Sequence, residues 1–256
     1  MEVILIFFIA HWYLSLFFQT FFLHRYAAHG AFTMSKTWER IFFVLTWFFQ
    51  GSNYLSAYGY GIMHRMHHAF ADTPEDPHSP KYDESLFKMM WKTKTIYSAI
   101  TNKKMIVDKR FTENVPEWTA FDKFARSWVS RILWGGVYVA VYAAFATHWW
   151  LWLLLPIQFL LSPIHGAIIN WFAHKYGYRN FEVGDTSKNF LPLDFLMMGE
   201  SYHNNHHKYG NRANFGGIRW HEIDPTYLII RLFNRMGIIQ LAKEKQLVAS
   251  EIKKAA

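Results

Sequence analysis

No lysine or arginine occurs in residues 1–24 or in residues 132–174, although this chain of 256 residues carries 27 of them. The basic residues fall in two stretches, Arg25 to Arg131 and Lys175 to Lys254, and the two gaps are the most apolar parts of the chain. A cationic side chain is unfavourable inside hydrocarbon, and cationic loops gather on one side of a membrane. The net charge of +8 is therefore read first as a topology signal. A nucleic-acid binder would interleave its basic residues with its aromatic ones, whereas this chain separates them, so no nucleic-acid partner is expected.

Met1 to Leu23 (MEVILIFFIAHWYLSLFFQTFFL) is long enough to cross a hydrocarbon core of about 30 Å as a helix. It lacks the basic segment and small-residue cleavage site of a signal peptide. Ile132 to Asn170 contains no charged residue and is interrupted near His148 and Trp149, which fits two antiparallel spans, about 132–148 and 149–170. Ile41 to Leu55 has an apolar centre, IFFVLTWFF, followed by Gln50, Gly51, Ser52 and Asn53; it is too short and too polar at its end to cross. If all basic segments share one side, the first helix enters and the later pair leaves and returns. The 41–55 segment then dips into the membrane or lies along it.

These readings predict an all-α integral membrane protein, a single domain over 1–256, with about three transmembrane helices and the N-terminus outside. Residues 24–131 and 171–256 would form a cytoplasmic helical cap. Tyr227–Leu241 reads as an amphipathic interfacial helix, and the end after Ala242 as a solvated helix or frayed tail. With 20% aromatic residues the chain must bury its rings or solvate them in lipid, which excludes intrinsic disorder. Cysteine is absent, so disulfides, thiolate metal sites and cysteine nucleophiles are excluded.

Fourteen histidines are many for this length, and most are clustered: His24 and His29 in HRYAAH, His64, His67 and His68 in HRMHH, and His203, His206 and His207 in HNNHH. Positions i, i+3 and i+4 share one helix face, so each HxxHH triplet points its imidazoles in one direction. His24 and His29, five apart, converge only if the helix tightens or unwinds there. Asn170 and His174 form a further i, i+4 pair. Every cluster lies just beyond an apolar block on the basic side, so all can meet at one depth. Nine imidazoles, with Asn170 as a tenth contact, are too many for one metal and suit two. On ligand chemistry alone iron, zinc, copper and nickel remain open.

Asp76, in the turn sequence EDPHSP, and Glu200 are candidates to orient a ligand histidine through its other ring nitrogen, with a plain surface carboxylate the alternative. His11, mid-span, reads as a hydrogen-bonded helix–helix contact; His148 and His221 read as structural, and His165 as a non-ligand. Lys88, Lys92, Lys94, Lys103 and Lys104 form a basic run that anchors to anionic lipid or binds an acidic carrier.

HRYAAH (24–29), HRMHHAFADTPEDPHSP (64–80), NWFAHKYG (170–177) and GESYHNNHH (199–207) together resemble the histidine boxes of the membrane fatty acid desaturases, the class that includes stearoyl-CoA desaturase. WHEIDPTYLI (220–229) is similar to the segment that closes that family's catalytic domain. The family's eukaryotic acyl-CoA members carry one more span before the first box, and the stretch after DPHSP here lacks their Arg-Gly and aromatic run.

The resemblance implies a diiron (Fe2+) centre held by His24, His29, His64, His67, His68, His174, His203, His206 and His207, with Asn170 contacting one iron through water. It also implies O2-dependent insertion of a cis double bond into a long acyl chain carried on CoA, acyl carrier protein or a lipid. A methylene C–H bond is unactivated, and neither acid–base nor nucleophilic side chains break it, which is why metal and O2 are needed. The aromatic residues of the 41–60 block and of the later apolar helices are candidates for the wall of an acyl tunnel. No block beyond residue 240 would hold a fused donor domain, so a separate electron donor, such as a ferredoxin or small cytochrome, is expected. The expected location is a bacterial inner membrane, with the site on its cytoplasmic face. The competing readings are a diiron hydroxylase or ketolase of the same superfamily and a non-catalytic membrane zinc protein.

Overall fold

The computed structural model describes residues 1–242; the expected solvated or frayed end after Ala242 lies outside the described residues. In chain order the helices are α1 (Glu2–Phe18), α2 (Lys36–Gln50), α3 (Ala57–Phe70), α4 (Leu86–Thr101), α5 (Lys109–Thr112), α6 (Thr119–Ala125), α7 (Trp128–Phe145), α8 (Leu154–Gln158), α9 (Leu161–Ala167), α10 (Ala173–Lys175), α11 (His203–Lys208) and α12 (Pro225–Arg235). Their starts follow local chemistry. Ser35, Ser56, Ser85 and Ser127 each accept a backbone N–H from the turn that follows. Asp224 does the same ahead of Pro225, whose missing N–H is harmless in a first turn.

Among the described residues two helices are long and apolar enough to cross a membrane, Glu2–Ala28, which extends α1, and Trp128–Phe145. A third candidate is the pair Trp149–Gln158 and Leu161–Lys175, bent by 67°. The sequence predicts one continuous helix over 149–170. Pro156 and Pro163 instead sit in the first turns of α8 and α9, where a missing donor is tolerated, and so divide the span in two.

The 41–55 segment begins within α2 and leaves it at Gln50; α2 has 15 residues, which at about 1.5 Å per residue is shorter than the hydrocarbon core. Its end is clasped by the later helices: Asn53 Nδ2 donates to Gln158 O at 2.8 Å, Ser162 Oγ to Asn53 O at 3.0 Å, and Ser52 N to Tyr138 Oη at 3.1 Å. The chain then reverses through Gly51–Asn53 into α3. Gly51 has φ +56, and a Cβ there would run into the Tyr138 hydroxyl, so only glycine fits. His11 is the helix–helix contact that the sequence predicts, bonding Tyr138 Oη at 3.2 Å and Gln158 Nε2 at 2.9 Å.

Of the aromatic residues expected at a tunnel wall, Phe42 and Phe43 of α2 are core, Phe48 is 52% exposed and Tyr60 lines the cavity beside the histidines. Phe42 and Phe43 pack on Phe18 of α1 and on Phe21 and Phe22 of its extension in the largest buried cluster, with Phe21 and Phe42 ring centroids 4.8 Å apart. A two-stranded antiparallel sheet corrects the all-α expectation: β1 (Phe32–Met34) pairs with β2 (Ile239–Leu241). The helix expected over Tyr227–Leu241 accordingly ends at Arg235. Gly237, at φ +71, reverses the chain, and the residues beyond it add to the edge of β1.

Candidate metal centre

Nine histidines from both halves of the chain converge at the polar end of the bundle. They form two groups, within each of which the donor atoms all lie within 4.8 Å of one another. The first contains His24, His29, His64, His68 and His206, and the second His67, His174, His203 and His207. These are the nine histidines that the sequence singles out.

Local backbone geometry sorts them. Residues 19–28 continue α1 with widened turns in which a carbonyl bonds the N–H five residues on. His29 N bonds His24 O at 3.2 Å, and the two rings come within 5.0 Å. A second widened stretch, Ile168–Phe172, leads to His174. In each HxxHH triplet the i, i+4 pair serves one group and the middle histidine crosses to the other. His64 and His68 join the first group and His67 the second; on α11, His203 and His207 join the second and His206 the first. Adjacent residues diverge by about 100° around a helix, so His67 and His68, or His206 and His207, do not reach the same point. The expected single direction is therefore a shared face split between two centres.

Carboxylates fix the outer nitrogens. Glu200 Oε2 lies 2.6 Å from His24 Nδ1, and its other oxygen accepts the Thr20 hydroxyl. Asp76 Oδ1 lies 2.9 Å from His67 Nδ1, and Asp185 Oδ2 2.8 Å from His207 Nδ1. His174 Nδ1 meets Thr186 Oγ1 at 3.1 Å and Asp72 Oδ2 at 3.8 Å. Burial alone would raise the Asp76 carboxyl, but the charge and hydrogen bond of His67, with His78, hold it below the ordinary carboxylate range. Asp72 behaves alike, with His174, Thr186 and Ser79 outweighing burial.

Ionised Asp76 accepts only, so His67 carries its proton on Nδ1; His207 does the same toward Asp185. Their Nε2 lone pairs then face each other at 3.3 Å with no proton between them. The first group brings its Nε2 atoms equally close, at 3.0 Å for His24–His206, 2.9 Å for His64–His29 and 2.8 Å for His68–His206, with Glu200 on the outer nitrogen of His24. Protonation does not relieve this. Burial, then neighbouring histidines, push His29, His64, His68, His203, His206 and His207 well below the usual imidazole range. Lone pairs converging without protons are a donor set for metal cations. With metal–nitrogen distances of about 2.1 Å, donors at right angles are about 3.0 Å apart and tetrahedral ones about 3.4 Å. The observed edges fit the former best.

A cavity of about 50 Å³ adjoins both groups, walled by Leu16, Met63, Ile169 and Met197 and by polar Gln19, Tyr60, His78, His165 and Asn170. Asn170 thus lies beside the centre, and His165, outside both groups, lines the same space. His78 packs its ring 4.2 Å from that of His67.

Several site residues escape sequence reasoning. Asp72, Asp185 and Thr186 reach the histidines across loops, and no motif marks Asp185 or Thr186. Arg65 donates to the carbonyls of Ala27 and Ala28 that end the widened helix. Arg25, wholly buried, bonds Ala213 O and pairs with Asp224 at 2.9 Å. Asn204 and Asn205 hold α11 to the Asn180, Asn189 and Glu222 network. Their place inside HNNHH was the available signal.

Histidine-only donors in two adjoining groups at the end of an apolar helical bundle define a chain able to hold two metal ions beside a membrane. The family described as "Fatty acid desaturase" matches residues 2–237, and the chain belongs to that family. It is similar to the Delta-9 desaturase-like 5 protein of Arabidopsis thaliana, at 30% identity over 245 residues, covering 92% of this chain and 74% of that one. It is also similar to the sn-1 stearoyl-lipid 9-desaturase of Anabaena variabilis, at 26% over 232 residues (87% and 78%). A third relative is the hex-5-enoyl-[acyl-carrier protein] acetylenase of Moorena producens, at 28% over 260 residues (97% and 79%).

Proposed function

We propose that the protein is an O2-dependent fatty acyl desaturase that introduces a cis double bond into a long acyl chain. The observation that carries this reading is the set of nine convergent imidazoles, divided five and four. Five donors exceed the four of a closed zinc site, which favours iron. Two bound iron(II) ions would supply O2 reduction and the oxidising power to remove hydrogen from an unactivated methylene. The imidazoles bring no charge, and the four carboxylates Glu200, Asp76, Asp185 and Asp72 behind them balance that of two divalent cations. Asn170, at the cavity wall, would reach one iron through water.

The substrate is an acyl chain esterified to a lipid or carried on CoA or acyl carrier protein, and its reacting methylenes lie beside the cavity. Apolar contacts along the chain fix which carbon reaches the centre, because the carbon itself carries no polar mark. Electrons come from a separate ferredoxin or small cytochrome. The histidine end faces the cytoplasm, in a bacterial inner membrane, with α2 re-entrant; its clasp beside His11 supports that placement.

Expression in a host without unsaturated fatty acids, followed by gas chromatography of its lipids and metal analysis of the purified protein, tests the reading. The expected result is a new alkene and two irons per chain. A hydroxy or keto product without an alkene, or zinc alone with no O2 uptake, overturns it.

A further inference from the structure

Polar side chains are rare inside a membrane bundle and mark function when they lack partners. In α1 and its extension they recur as His11, Ser15 and Gln19, four residues apart and so on one face, ending at His24. Gln158, Ser162 and His165 form a similar stripe on α8 and α9 and lead to Asn170. The stripes meet where His11 Nδ1 bonds Gln158 Nε2 at 2.9 Å. Ser15, Gln19, Gln158, Ser162 and His165 are all buried, His165 to within 1% of full burial. Ser15 Oγ, Gln19 Oε1, Gln158 Oε1 and both ring nitrogens of His165 have no hydrogen-bond partner among the described residues. Gln19 and His165 both line the cavity that touches His24, His64 and His203. Beyond His11 the buried cluster Ile4, Tyr142 and Leu151 closes the bundle.

We propose that the two stripes hold a strand of water running from the metal cavity to the middle of the bundle, which delivers protons to the centre and takes up the water formed there. The demand for it rests on the desaturase reading. When CH2–CH2 becomes CH=CH, the substrate gives up two hydrogens with two electrons. The one-electron donor protein supplies two further electrons, solvent supplies two protons, and O2 leaves as two waters. Orphaned donors and acceptors inside an apolar wall are the partners that such waters need. The Ile4–Tyr142–Leu151 cluster, apolar apart from the Tyr142 hydroxyl, which is unpartnered among the described residues, packs at the far end of the stripes. The second stripe adjoins the polar end of α2: Ser162 Oγ bonds Asn53 O, and Arg131, at the start of α7, donates to Ser52 O at 2.7 Å.

Hydroxyl-radical footprinting of the metal-free protein tests hydration without any turnover. Met63 and Met197, 8% and 0% exposed, line the cavity and are expected to oxidise at the rate of exposed residues in the wild type and slowly in His165→Leu. In the iron-loaded enzyme His165→Leu should lower kcat about tenfold, a modest share of what proton transfer contributes. The acyl-substrate KM and the iron content should hold, and the solvent deuterium isotope effect should rise. His165→Asn, which keeps a polar group, should restore part of kcat. Gln19→Leu should repeat the pattern and serves if His165→Leu does not insert. Protected methionines in the wild type, an unchanged kcat and isotope effect, or a change confined to KM would overturn the proposal. A chain that makes no alkene but shows labelled methionines would instead overturn the desaturase reading and leave the water strand standing.

Discussion

At Glu200, exchange of one carboxylate oxygen for an amide nitrogen keeps the volume and removes the acceptor that fixes His24. In Glu200→Gln the amide nitrogen can face His24 Nδ1, which then carries its proton on Nε2, the metal-facing atom. Loss of such a partner typically weakens metal affinity by about 10- to 100-fold. The check is iron retained after dialysis against a graded chelator series; wild-type retention would show that His24 is oriented by something else. The metal-free protein should also be acid-sensitive. His29, His64, His68, His203, His206 and His207 are all held below 6.5 when folded. The unfolded chain takes up protons near pH 6.5 while the folded one does not. Stability is therefore full above that pH and is lost as pH falls below it, by up to about 1.4 kcal/mol per pH unit for each histidine. Thermal unfolding of metal-free protein at pH 7.5 and 5.5 should show the lower Tm at 5.5, and equal values would refute the assignment.

Among the elements, the widened turns before His29 carry the most specific demand. Inserting one alanine after Ala27 would make the spacing six residues, which no single helical turn closes, and carry the second histidine of HRYAAH away from His64. Iron per chain should fall from two to about one, read by metal analysis of purified protein, with membrane insertion unchanged. Retention of both irons would mean that the widened turns are incidental. The five-residue spacing made an irregular helix legible in advance, because a regular one turns the two rings apart. The nine histidines were legible for the same reason, since spacing on one face survives any packing of the helices. Their division into five and four was not, because it depends on how α3 and α11 face each other across 140 residues of chain. Asp76 and Glu200 stood within motifs and could be named. Asp185 sits in an unremarkable loop, and only folding brings it to His207. The sheet between β1 and β2 left no pattern in three-residue strands, and the bend at Pro156 and Pro163 was visible as prolines but not as an angle.

For the whole molecule, the charge distribution makes a claim about sides. A reporter active only in the cytoplasm, fused after residue 105 or residue 213, should be active, and one fused after residue 147 should be silent. Activity at all three points would refute the three-crossing topology. The interleaving of the two histidine groups has a consequence for how the protein is made. Before His203 emerges from the ribosome, the first group has four of its five donors and the second only His67 and His174. Neither set closes until HNNHH has been synthesised and folded back against α1 and α3. The paired centre is then completed late in biogenesis, and a chain interrupted before residue 203 would carry four donors of one group and two of the other, never the joined pair.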